Sequence, residues 1–138
     1  MYGVLKVDVI FANGANVVQG DHAVMCPGGA SRILRHNNVR NIIAKAVREI
    51  GLRTDIEHGG GLGDERRPGD VIVWNWYGGK HLLIDVALIN PLALSHSHIL
   101  IRDGVGGPAT AYENVKRQHY SDLDASQYEF VPFVIETC

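Results

Sequence analysis

The chain has 138 residues, of which 46% are hydrophobic and 20% charged, and its formal net charge is −2. This length and balance predict a single globular domain. The slightly acidic charge argues against a protein that coats nucleic acid with its whole surface. No apolar run is long enough to cross a bilayer. The two cysteines lie far apart and give no disulfide framework, which predicts a reducing, intracellular setting.

The first pattern in chain order is the pair His22 and Cys26, which has half of the spacing of a zinc knuckle. A tetrahedral zinc site needs two more ligands, and no cysteine precedes His22. The sequence therefore predicts no zinc site in this segment.

The clearest predicted helix covers residues 37–50 and ends at Gly51. Its apolar residues recur at intervals of three and four, which predicts one buried stripe. The stripe consists of Val39, Ile42, Ile43, Ala46, Val47 and Ile50. His36 would lie at the start of this helix, where the helix dipole disfavours a positive charge. We therefore expect His36 to be neutral or to lie near a phosphate or a carboxylate.

The strongest signal is a β-hairpin formed by two apolar runs, 71–77 and 80–89. Gly78 and Gly79 separate the runs, and glycine readily adopts the positive φ angles of a two-residue turn. A short strand is predicted at 52–57, before the hairpin.

Two acidic residues, Asp70 and Asp85, share one face of this hairpin. A two-residue turn places Ile72 opposite Asp85 and Ala87 opposite Asp70, so the two acids are diagonal neighbours. Two carboxylates in apolar surroundings require a cation or a proton between them. Oxygen ligands of this kind suit Mg²⁺ or Mn²⁺. A structural ion pair, for example with an arginine, explains Asp85 equally well, and both interpretations stay open.

After the hairpin, the sequence predicts a helix over 108–120 and a last strand over 130–135. Pro132 indicates an edge position or a bulge in that strand. Residues 92–101 mix apolar, histidine and serine residues and receive no assignment. The predicted order is α-β-β-β-α-β, which indicates an α/β fold.

Short motifs occur along this order. They are Arg-Pro-Gly-Asp at 67–70, Asp-Val at 85–86, Asn-Pro at 90–91, Glu-x-x-Lys-x-x-x-Tyr at 113–120 and Phe-x-Pro-x-x-x-Glu-Thr at 130–137. Together they resemble the restriction-endonuclease-like PD-(D/E)XK nuclease domain that follows the reverse transcriptase of eukaryotic non-LTR retrotransposons. The resemblance implies an α/β fold with a mixed central sheet flanked by helices. Residues 21–27 and 35–40 resemble the segment before that domain. The resemblance divides the chain into a divergent segment, 1–21, and a nuclease-like domain, 22–138.

The resemblance implies a Mg²⁺- or Mn²⁺-dependent DNA endonuclease. Asp70 and Asp85 would be its two metal-binding acids, with Glu57 as a third. Ala87 stands where the motif usually has its lysine, and Lys116 on the following helix would replace it. The residues implied to contact DNA are Arg35, His36, Arg67, Arg117 and Tyr120.

The same resemblance implies a nuclear location, a reverse transcriptase in the parent element and a homodimer for cutting both strands. An alternative stays open, namely a catalytically inactive remnant that binds nucleic acid or is purely structural. The acidic net charge favours it, and so does the absence of the Cys-x-x-Cys pair that precedes the histidine and cysteine of the knuckle in the family.

Overall fold

The computed structural model describes residues 29–56 and 69–137. His22 and Cys26 lie outside the described residues, and so do Glu57 and Arg67. In chain order the elements are α1 (Gly29–Glu49), β1 (Thr54–Ile56), β2 (Val71–Tyr77), β3 (Lys80–Ile89), α2 (Leu94–Asp103), α3 (Gly107–His119) and β4 (Tyr128–Glu136).

The strands form one four-stranded sheet in the order β1-β2-β3-β4. β1 and β2 run antiparallel, as do β2 and β3, whereas β3 and β4 are parallel. The predicted mixed sheet with flanking helices is therefore confirmed. The element order differs in one respect, because α2 lies between β3 and α3 where no helix was predicted. None of the described helices combines the length and the apolar character that a membrane span requires.

Helix α1 packs on one face of the sheet, against buried residues of β2 and β3. Its predicted apolar stripe is only partly correct, because Ile42 and Ile50 are 66% and 69% exposed. Ala44, which the stripe omitted, is fully buried. A small side chain at this position lets the helix lie close to the sheet. The buried side of α1 is therefore centred on Ala44. The core on this face consists of Ala44, Val71, Val73, Leu82, Ile84 and Val86, with Val39, Ile43 and Val47 packed against it.

The hairpin turn forms as predicted, with φ values of 59° at Gly78 and 81° at Gly79. Tyr77 pairs with Lys80 across the turn. Both turn residues thus have the positive φ that a two-residue hairpin turn requires.

The register beyond the turn differs from the prediction by two residues. Ile72 pairs with Leu83 and not with Asp85, because the ladder shifts between Val73 and Tyr77. Asn75 lies in this irregular stretch and has a positive φ of 53°. A shift of two residues keeps every side chain on its predicted face. Continued by one residue past Val71, the pairing would set Asp70 directly opposite Asp85 rather than diagonal to it.

Candidate active site

Asp70 lies just before β2 and completes the edge of β3. Its backbone N–H donates to the Ile84 carbonyl at 2.9 Å, and its Oδ2 accepts the Val86 N–H at 2.7 Å. β3 extends past the start of β2, so the polar groups of Val86 have no strand partner on that side. His36 Nε2 lies 3.1 Å from the Val86 carbonyl oxygen and 3.0 Å from Asp70 Oδ2. Two side chains thus take the place of the missing backbone partner.

His36 lies inside α1 and not at its start, because the helix begins at Gly29. The predicted position at a helix N-terminus was therefore wrong, whereas the expected carboxylate neighbour is present as Asp70. Both atoms near Nε2 are acceptors, namely the Asp70 carboxylate and the Val86 carbonyl. Nε2 must therefore carry a proton, which it shares between the two acceptors.

Gly69 allows Asp70 to reach this position. A Cβ atom at residue 69 would lie 3.0 Å from the backbone oxygen of Ile84, closer than side-chain carbons normally approach. Any larger residue would push the chain away from β3 and move the Asp70 carboxylate off the Val86 N–H. The Gly-Asp sequence at 69–70 thus has a local reason that is independent of any ligand.

Asp85 lies in the middle of β3 and is only 8% exposed. Lys116 on α3 approaches it, with 2.9 Å between Nζ and Oδ2. Oδ2 is fully enclosed and accepts no hydrogen bond of good angular geometry from the described residues. The contact is therefore an ion pair, and it lies where sequence reasoning expected a lysine from a neighbouring helix. A structural ion pair was one of the two interpretations left open for Asp85, with arginine as an example, and the residue that forms it is Lys116.

The pair sets the charge state of Lys116. Burial acts to lower the pKa of Lys116, but the contact with Asp85 outweighs it, and the pKa lies above its usual value. The phenol oxygens of Tyr112 and Tyr120 add to the effect in the same direction. Lys116 is therefore a fixed positive charge next to a buried carboxylate at neutral pH.

Helix α3 is held in place from β4. Glu136 accepts the N–H of Gly106 at 3.1 Å and of Ala109 at 2.9 Å, and the N-cap residue Gly106 offers no side-chain oxygen. A carboxylate also complements the positive end of the helix dipole. Sequence reasoning missed this contact, because residues 106 and 136 are distant in the chain.

Four of the five residues predicted to contact DNA are described, and they lie on α1 or at the C-terminal end of α3. Arg35 precedes His36 on α1 and is half-buried, and Arg67 lies outside the described residues. Arg117 is exposed and donates to the Phe130 carbonyl at 3.2 Å. Tyr120 packs on the Phe130 ring with centroids 4.6 Å apart. Arg117 and Tyr120 thus both contact β4 within the chain.

The residues partly fit the expected cation. The described contacts of Asp70 use Oδ2 alone, whereas Oδ2 of Asp85 is enclosed and lies 2.9 Å from Lys116 Nζ. A divalent cation at these two acids would therefore be held by Asp70 and by the second oxygen of Asp85. Within 29–56 and 69–137 no group of three His, Cys, Asp or Glu side chains is arranged to bind a metal. The third predicted acid, Glu57, lies outside those ranges.

Comparison with protein-family models gives no match, and comparison with curated proteins gives none either. The interpretation of this site therefore depends on its geometry and on the sequence motifs.

Proposed function

We propose that the chain is a divalent-cation-dependent DNA endonuclease domain, derived from a retrotransposon and built on the restriction-endonuclease-like fold. The observation that carries the proposal is the ion pair between Lys116 of α3 and Asp85 of β3, next to the hydrogen bond by which Asp70 holds the N–H of the following residue, Val86. A lysine brought from a helix onto a strand carboxylate is the arrangement that the motif resemblance implies. The mixed sheet and the order of its four strands are compatible with that fold.

The chemistry of phosphodiester hydrolysis accounts for these residue types. The reaction needs positive charge on the phosphate oxygens, a positioned water and a stabilised leaving group. Asp70 and Asp85 would hold the divalent cation, which would supply Lewis acidity at the phosphate. The Lys116 ammonium has three donors and stays charged at neutral pH, so it can hold a phosphate oxygen or orient the water while it contacts Asp85.

A DNA substrate, a nuclear location and a reverse transcriptase in the parent element belong to this proposal through the motif resemblance. Cutting of both strands would favour a homodimer.

A second candidate function is a non-catalytic remnant of the same domain. It is favoured by the fact that each acid already has a structural role. Asp70 completes the edge of β3, and Asp85 is neutralised by Lys116. Neither role requires a ligand.

The deciding experiment is nicking of supercoiled plasmid by the purified chain with Mg²⁺, with Mn²⁺ or with EDTA. The variants are Asp70→Asn, Asp85→Asn and the double variant Asp85→Asn/Lys116→Met. The double variant removes both buried charges together and should stay folded. We expect cation-dependent nicking by the wild type and a loss of at least about 100-fold in each variant. Lys45→Met alters an exposed pair, Lys45–Glu49, and serves as the control that keeps activity.

Circular dichroism of each variant separates loss of chemistry from loss of fold. Nicking that survives Asp85→Asn would overturn the role of Asp85 and with it the endonuclease proposal. A folded wild type that cuts with neither cation would favour the remnant.

A further inference from the structure

The contacts of His36 extend the proposed function to a residue of α1. Its Nε2 lies 3.0 Å from Asp70 Oδ2 and 3.1 Å from the Val86 carbonyl oxygen, and Val86 N–H donates to the same Asp70 oxygen at 2.7 Å. One carboxylate oxygen therefore receives two hydrogen bonds from different directions. Val86 immediately follows Asp85, so this arrangement anchors Asp70 beside the second acid.

Two directed hydrogen bonds to one oxygen fix the plane of a carboxylate. Without His36, Asp70 would keep one bond to Val86 and could rotate about it. With His36, rotation would break one of the two bonds, and the other oxygen, Oδ1, keeps a constant direction. The Asp70 side chain is 21% exposed, so it has room to rotate and burial alone does not hold it.

We propose that His36 is a positioning residue that orients the Asp70 carboxylate for a divalent cation. The inference rests on the proposed function, since it requires that Asp70 bind the cation. Groups that hold a metal ligand from outside typically change metal affinity by ten- to a hundredfold when they are removed. His36 is placed to act in this way through Nε2, and its other ring nitrogen lies 3.3 Å from the side-chain oxygen of Asn37.

The test compares two amides of different length. A glutamine at residue 36 has an amide N–H that reaches about as far as the histidine Nε2, and an asparagine is shorter by one methylene. Mn²⁺ binding to the full chain is measured by isothermal titration calorimetry for wild type, His36→Gln, His36→Asn and Asp70→Asn. His98→Ala, at an exposed histidine of α2, is the control. Thermal unfolding of each variant reports stability separately.

We expect Mn²⁺ affinity to fall about tenfold in His36→Asn, to stay within about threefold of wild type in His36→Gln and to be unchanged in His98→Ala. Equal affinity of wild type and His36→Asn would overturn the inference and leave the endonuclease proposal intact. An equal loss of Mn²⁺ affinity in His36→Gln and His36→Asn would also overturn the inference, because the distance over which the side chain reaches Asp70 would then make no difference. A wild type that does not bind Mn²⁺ would overturn both.

Discussion

The two acids of the site are held in contrasting ways. Asp70 lies at the open edge of β3, where its carboxylate receives directed hydrogen bonds from a backbone N–H and from His36. Asp85 lies on the buried face of β3, where the enclosed oxygen has an ion pair and no directed hydrogen bond. The hydrogen bonds at the edge of β3 thus fix the orientation of Asp70, whereas the ion pair on the face of β3 neutralises the charge of Asp85. We expect orientation to matter mainly for binding and neutralisation mainly for stability.

The largest effect should follow from Lys116→Met. The substitution leaves Asp85 buried without its cation, and removal of one partner of a buried pair costs about 3 kcal/mol in the free energy of unfolding. Urea denaturation measures this loss. The exposed pair Lys45–Glu49, with 3.8 Å between charged atoms, gives the matched control, and Lys45→Met should cost less than about 0.5 kcal/mol. Similar small costs for Lys116→Met and Lys45→Met would show that the stability of the fold does not depend on neutralising Asp85.

Substitutions at the edge of β3 should cost less stability than Lys116→Met. His36→Ala removes a donor from Asp70 and from the Val86 carbonyl, but Asp70 keeps its bond to the Val86 N–H. We expect a loss of about 1.5 kcal/mol in the free energy of unfolding, measured in urea. A loss as large as that of Lys116→Met would mean that the edge also depends on charge neutralisation.

A smaller effect is expected from the helix that carries the lysine. Glu136→Gln weakens the cap of α3 and should cost about 1 kcal/mol. Glu129→Gln, an exposed position on the same strand, is the control and should be neutral. Thermal denaturation measures both. If Glu129→Gln destabilises the protein equally, the cap is not the cause.

The smallest expected change is the pH dependence of the free energy of unfolding that results from the ionisation of Lys116. Its pKa is higher in the folded chain, so the ion pair contributes fully below the unfolded lysine pKa of about 10.4. The contribution is lost as the pH rises through the higher folded value. The stability difference between wild type and Lys116→Met should therefore be constant from pH 7 to about pH 10 and decrease above it. Urea denaturation across this range tests the sign, and a decrease that begins below pH 9 would be inconsistent with it.

Much of the fold was predictable, because it depends on local signals. Gly78 and Gly79 determined the turn, and the bounds of β2 and β3 match the predicted runs. Helix α2 was missed because its residues show no clear apolar stripe, and in the structure none of them is buried. The two-residue register shift was also missed. Asparagine is enriched among residues with positive φ, but one asparagine inside a predicted strand does not by itself predict a shift in register.

The site was predictable only in part, for the same reason. Lys116 was placed beside the two acids through the resemblance to the nuclease family, and the structure brings it to Asp85. The contact of His36 with Asp70 joins residues 34 positions apart and depends on how α1 lies against β3. The sequence led us to expect a phosphate or a carboxylate near His36, but no pattern identified Asp70 as that carboxylate. The structure was needed to give His36 a partner within the chain.

Pro132 has a consequence for how copies of this domain can associate. It pairs with Asp85 in the parallel register, and β4 is the last strand of the described sheet. The N–H of Thr137 donates to Ile89 of β3, whereas the carbonyl of Phe130 accepts from Arg117. The backbone N–H and C=O groups of the even-numbered residues of β4 therefore point away from β3, toward the outer edge of the sheet. Proline therefore interrupts the row of N–H groups on the outer edge. Fibril-like growth or strand exchange along β4 is disfavoured at its centre.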